Sequence, residues 1–380
     1  MFEYRLDFYQ NLLTITILII SIFIIGIVGI RTKRDTLIVL GVFLWHTLFS
    51  IVYFLYTLNN AADAKGYYRA SISDYDFSFY PGSRFINYLT SIFSQGVDAN
   101  YFNSTLVYNL FGSIGLVFLY LSIKRYLSSL PWYWVLILFI PSMSFWSSGL
   151  GKDAISYMAC CLFIYAVSTD TKPALLLTLS FFSMFMVRPH IAAMLLISYF
   201  VYFIVKSKTH IILKALALPA IGAGLFLSLG FVQQYVGLEE ASFDSVSSYV
   251  DSRQAVNQGG GSSLDIASMS YPMQMFTYIF RPLPFEAHSA VALISSLENI
   301  ALLLVFIYIF IKSKSSFKTF FKNENLWLFM YAFLTCTMLA LTTANLGIAT
   351  RQKWMFMPVL IYLLIYAFYD YKTKKNKVYS

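Results

Sequence analysis

Apolar runs of roughly 15 to 22 residues recur along most of this chain, separated by short polar links. As a helix, each run is long enough to cross a hydrocarbon core about 30 Å thick. No soluble fold needs so many. Of 380 residues, 58% are hydrophobic and only 12% charged, whereas a soluble domain is nearer half apolar and a quarter charged. The pattern predicts spans at 11–30, 36–57, 104–123, 132–149, 151–168, 173–187, 191–205, 215–234, 291–311, 326–344 and 354–370. The expected fold class is therefore all-α, a polytopic membrane bundle of about eleven helices, with residues 1–380 as a single membrane domain. Charges rather than a small-residue cleavage site follow the first run, so it reads as a retained span and not a signal peptide.

The links alternate between two sides and their charges are unequal. Links at 31–35, 124–131, 169–172, 206–214 and 312–325, with the tail from 371, carry well over half of the 27 basic residues. By the positive-inside rule this side is cytoplasmic, which puts the N-terminus outside and the C-terminus inside. Of the 18 acidic residues, only Asp35, Asp170, Glu324 and Asp370 fall there. The net charge of +9 is thus an orientation signal and gives no reason to invoke nucleic acid. The basic tail KTKKNK reads as an anchor to anionic headgroups of the lipid bilayer. Cys160, Cys161 and Cys336 all lie inside apolar runs, as small core residues, and no metal-ligand spacing or cofactor motif is present.

Two external loops are long, 58–103 and 235–290. The second holds NQGGGSS at 257–263 and then an aromatic, Met- and Pro-rich stretch at 269–288 that reads as lying in the interface. Charges near the hydrocarbon boundary are costly, so each is a functional candidate. Lys152 and Asp153 sit in WSSGLGKD at 146–153. The apolar part that follows is about 14 residues, roughly 21 Å of helix, which is too short for the core and draws both residues below the outer surface. Arg188 and His190 lie in RPH at 188–190, between two short helices. Arg281, Glu286 and His288 flank the interfacial stretch, Glu298 and Asn299 open the ninth span, and Arg351 with Lys353 opens the last. Cations gathered at one level suit a lipid-borne diphosphate, whose oxygens guanidinium groups bind bidentately and whose charge they stabilise as it departs. A general base for an incoming sugar hydroxyl would be His190 or Asp63. The DYD at Asp74 and Asp76 superficially resembles a metal-binding pair and reads better as ordinary loop.

FWSSGLGKDAIS at 145–156, MVRPHIA at 186–192, SYPMQMFTYIFRPLPFEA at 270–287, LEN at 297–299 and NLGIATRQKWMFMP at 345–358 together resemble bacterial polysaccharide polymerases, the O-antigen polymerase (Wzy)-like membrane proteins. The resemblance implies a GT-C-like fold in the bacterial cytoplasmic membrane. It also implies an enzyme that joins undecaprenyl-diphosphate-linked oligosaccharide repeats on the outer face, with a chain-length regulator and a flippase as partners. The family's external arginines for diphosphate binding fall on Arg188, Arg281 and Arg351, with Lys152 assisting and Asp153, Glu286, Glu298 and Lys353 in support. AADAKGYY at 61–68 is similar to the acidic first loop of GT-C glycosyltransferases, with Asp63 as its aspartate, so His190 and Asp63 both stand as the base. Two other functions compete. A GT-C transferase adding one sugar from a polyprenyl monophosphate would leave chain length unchanged. A flippase for lipid-linked oligosaccharide would show internal repeats and midplane charges, whereas no repeat is evident here and the charges gather on one face.

Overall fold

The computed structural model describes residues 7–73, 79–169, 173–206, 264–266, 268–287 and 289–379, with 210, 212, 214 and 219. Among the described residues every regular element is helical and there is no β-strand. Among the described residues six helices are long and apolar enough to cross a bilayer, and a seventh span is counted if the bent pair Leu346–Met355 and Met357–Asn376 is one. Of the run at 215–234, only residue 219 is among the described residues. Contacts divide the chain into two compact units, Met1–Arg188 and Pro189–Ser380.

The first unit holds α1 (Phe8–Gly29), α2 (Lys33–Asn59), α3 (Asp63–Ile72), α4 (Ser83–Ser94), α5 (Tyr101–Leu127), α6 (Pro141–Ser147), α7 (Lys152–Ser168) and α8 (Pro173–Val187). Asp7 caps α1, its side chain accepting from the Gln10 N–H at 2.7 Å, and Thr32 caps α2 in the same way. α5 is the centre of the unit, with most of its residues buried, many of them small or polar. Where lipid removes the hydrophobic drive between helices, such residues supply close packing and hydrogen bonds. Asn103 on α5 donates to the Gln10 carbonyl at 3.0 Å and accepts from Thr14 at 2.6 Å, tying α5 to α1. Near its other end Tyr120 and Lys124 both donate to Asp35, at 2.6 and 2.7 Å, tying α5 to α2. The loop at 58–103 contains α3 and α4, which pack on each other.

The run at 132–149 is not one helix. It divides into a 3₁₀ segment, Trp132–Phe139, and the short α6. Pro141 lacks an N–H and its ring disfavours helical backbone at the preceding residue, and Ile140 is extended at φ −64°, ψ 120°. α7 and α8 are helices of 17 and 15 residues.

The second unit holds α9 (Pro189–Lys206), α10 (Tyr271–Phe280), α11 (Ala290–Lys312), α12 (Asn325–Thr342), α13 (Leu346–Gln352) and α14 (Met357–Tyr379). α9 packs on α12, and the Trp327 indole N–H donates to the Leu195 carbonyl at 3.2 Å. α10 has ten residues and is too short to cross a bilayer. The last span is broken. A 3₁₀ turn, Lys353–Met355, joins α13 to α14 with a bend of 59°, and Pro358 just inside α14 suits a helix start better than a helix interior.

Candidate functional site

In the first unit the site is built on the turn between α6 and α7. His46, in the middle of α2, is fully buried. Its Nδ1 lies 2.5 Å from Asn109 Oδ1 and its Nε2 lies 2.9 Å from Ser147 Oγ, at the end of α6. Asn109 Oδ1 can only accept, which puts an imidazole proton on Nδ1, and the Ser147 hydroxyl, beside Nε2, donates to the Met143 carbonyl at 2.7 Å. The order serine, histidine, asparagine is that of a nucleophile, its base and an orienting group. There is no room to use it so. A Cβ on Gly112 would stand 2.1 Å from the Ser147 carbonyl oxygen and 2.6 Å from the His46 ring. His46 is therefore a clamp on the turn, helped by Ser50, which donates to the Ser148 carbonyl at 3.2 Å.

Beyond that clamp Gly151 adopts φ +150°, a conformation that a side chain would strain, and α7 begins at Lys152. Asp153 in its first turn accepts from Arg188 Nη2 at 2.6 Å. Arg188 follows the end of α8 and is only 9% exposed. Its Nε is buried and has no hydrogen-bond partner among the described residues. The Tyr67 ring lies 3.5 Å from where a Gly151 Cβ would stand, and Asp63 is four residues earlier on the same face of α3. So Asp63, exposed at the helix start, shares a helix face with the ring beside that turn.

A second network forms in the other unit. Arg281 follows α10, and its Nε donates to Glu286 Oε2 at 3.1 Å while its Nη2 pairs with Oε1. Glu286 Oε2 also accepts from the Leu283 N–H at 2.7 Å, so the carboxylate closes the loop between α10 and α11. Asn299 on α11 donates to the Pro282 carbonyl at 3.1 Å and accepts from Lys353 Nζ at 2.5 Å. Lys353, in the turn that breaks the last span, is 1% exposed. Glu298 lies within electrostatic reach of its ammonium. Asn299 thus links the loop that carries Arg281 and Glu286 to Lys353, more than seventy residues beyond Arg281 in sequence.

Arg351 is half-buried in the last turn of α13. His190 is half-buried in the first turn of α9, two residues after Arg188. Asp74, Asp76 and His288 lie outside the described residues. Among the described residues no three His, Cys, Asp or Glu side chains converge as metal ligands. One group escaped the sequence reading: His46 announces itself only as a lone histidine midway through an apolar run. Asn299 is named there beside Glu298, but without a role. Chemically, one carboxylate orients each arginine, Asp153 for Arg188 and Glu286 for Arg281, while the Asn299 amide oxygen holds the Lys353 ammonium. No protein-family model, curated protein or solved structure matches this chain.

Proposed function

We propose that this protein is a bacterial surface-polysaccharide polymerase of the Wzy type, a GT-C-like bundle of about eleven spans in the cytoplasmic membrane. In this reading its N-terminus is outside, and it joins undecaprenyl-diphosphate-linked oligosaccharide repeats on the outer face. The observation that carries the proposal is Arg188, a buried guanidinium held on one side by Asp153 and with Nε unsatisfied. A buried donor left bare is costly, and a diphosphate oxygen would satisfy it.

In the reaction, a hydroxyl of the acceptor repeat attacks the anomeric carbon of the donor chain. The bond from that carbon to the diphosphate breaks, and the departing lipid diphosphate takes the electron pair. The groups we assign to binding diphosphate and holding its charge are Arg188 and Lys152 in the first unit and Arg281 and Arg351 in the second. The hydroxyl proton passes to His190 or Asp63. Asp153 and Glu286 orient their arginines, while Glu298 and Asn299 position Lys353.

Surface glycan from cells lacking the protein tests this directly. Collapse of a polymer ladder to one repeat on its acceptor is the expected result. An unchanged ladder with every band shifted would transfer the chain to the single-sugar class, and loss of the single repeat as well would point to a flippase. Arg188→Lys retains the charge without the Nε donor, and we expect it to shorten the polymer. Full-length polymer from folded Arg188→Lys protein would remove that guanidinium from the site.

A further inference from the structure

Below Asn299 the same face of α11 carries Leu303, Phe306, Ile307 and Phe310, at offsets of 4, 7, 8 and 11 residues. These four side chains form one wall of a groove of about 230 Å³, closed by Phe280, Phe317 and Leu364. Its surface is almost wholly apolar. Phe280 and Phe306 meet edge to face at 5.4 Å at one end, and Phe310 meets Phe317 at 4.9 Å at the other. Ile307 and Phe310 are about half exposed, so the groove opens outward. Phe280 directly precedes Arg281, and Asn299, one helical turn above Leu303, holds Lys353. The groove therefore runs along roughly 10 Å of a membrane-length helix, from Leu303 to Phe310, and its Phe280 wall adjoins Arg281.

We propose that this groove holds the hydrocarbon chain of a polyprenyl lipid whose phosphorylated head sits against Arg281 and Lys353. Two features of the groove select that occupant. Its aromatic walls suit a methyl-branched, unsaturated chain. Its Phe280 wall directly precedes Arg281 in the chain and its Leu303 wall lies one helical turn from Asn299, which binds Lys353, so a compact polyanionic head would sit beside the chain. The inference rests on the lipid-diphosphate chemistry proposed above and adds where the lipid itself is bound.

The test uses the full-length protein in phospholipid nanodiscs and a polyprenyl diphosphate carrying a diazirine on its chain. Irradiation should label the peptide containing Leu303–Phe310, and unlabelled polyprenyl diphosphate should compete. Phosphatidylglycerol at the same concentration should not. Leu303→Trp, which fills the groove, should cut labelling of that peptide about tenfold, equivalent to about 1.4 kcal/mol of binding. Leu304→Trp, at an exposed position next to it, should leave labelling unchanged. Equal competition by phosphatidylglycerol, or labelling confined to other peptides, overturns the assignment, and neither result depends on how a variant folds. Undiminished labelling of folded Leu303→Trp protein overturns it too. If deletion collapses the glycan ladder but the groove is unlabelled, the groove assignment fails and the polymerase stands. Specific groove labelling with an unchanged ladder keeps the lipid site and removes the polymerase.

Discussion

Arg281 and Glu286 bind each other through two parallel contacts in a partly shielded loop, so removing either strands the charge of the other. Arg281→Met or Glu286→Leu alone should destabilise the protein by roughly 2 kcal/mol, between the values for surface and buried pairs, read as a fall in melting temperature in detergent. The double variant should recover most of that loss, because it leaves no unpaired charge, and still make no polymer. Recovery of polymer together with stability would reduce Arg281 to a structural group. Asn299 gives a sharper contrast. Asn299→Leu leaves the buried Lys353 ammonium without its acceptor, whereas Lys353→Met removes the charge and keeps the stem. We therefore expect Asn299→Leu to melt lower than Lys353→Met, and the reverse order would mean that Glu298 alone satisfies the ammonium. At this scale the charges were legible because any charge beside an apolar run is costly and stands out. Their partners were not. Asp153 and Arg188 are 35 residues apart, and nothing in local spacing says that they meet. His46 was invisible for the opposite reason, since a neutral imidazole inside a span needs only hydrogen-bond partners, and these come from α5 and α6.

Helices here are positioned by close approach and buried polar contacts as well as by apolar packing, and the turn before α7 shows the consequence. α5 comes so near this turn that position 112 has no space for a side chain. Gly112→Val should force α5 and the turn apart, an overpacking of about 1–3 kcal/mol or more, and sharply reduce the monodisperse peak in size-exclusion of the solubilised protein. Gly66→Ala on the exposed side of α3, where a Cβ meets nothing within 4 Å, should leave that peak intact. Equal behaviour of the two variants would mean that the clamp does not hold the turn. His46→Ala would then be equally harmless. Sequence periodicity found these elements but not their breaks. Hydropathy averages over a window, so 132–149 reads as one span although Pro141 divides it, and the last span reads as starting at 354 although a helical half precedes the bend.

For the whole molecule, the direction of α9 is set by the short helices between α5 and α9. The three apolar segments there, 132–147, α7 and α8, would invert the sidedness of everything between them and the next crossing if all three traverse the membrane. With eleven spans the end of α9 lies inside, and Arg188 and His190 lie outside with the other candidates. If only the seven longer spans cross, α9 runs the other way, its end is outside, and Arg188 faces the cytoplasm, where a lipid-linked repeat awaiting polymerisation would not be found. One residue separates the two cases. Lys206 is exposed at the end of α9, and the native cysteines 160, 161 and 336 are all buried, so a single introduced cysteine can be labelled over little background. A membrane-impermeant maleimide applied to intact spheroplasts should react with Gly66→Cys and not with Lys375→Cys under either count, which fixes the outer and inner references. Lys206→Cys should behave like Lys375→Cys, reacting only after the membrane is opened. Labelling of Lys206→Cys from outside would rule out the eleven-span arrangement and place Arg188 on the wrong side of the membrane for the proposed chemistry.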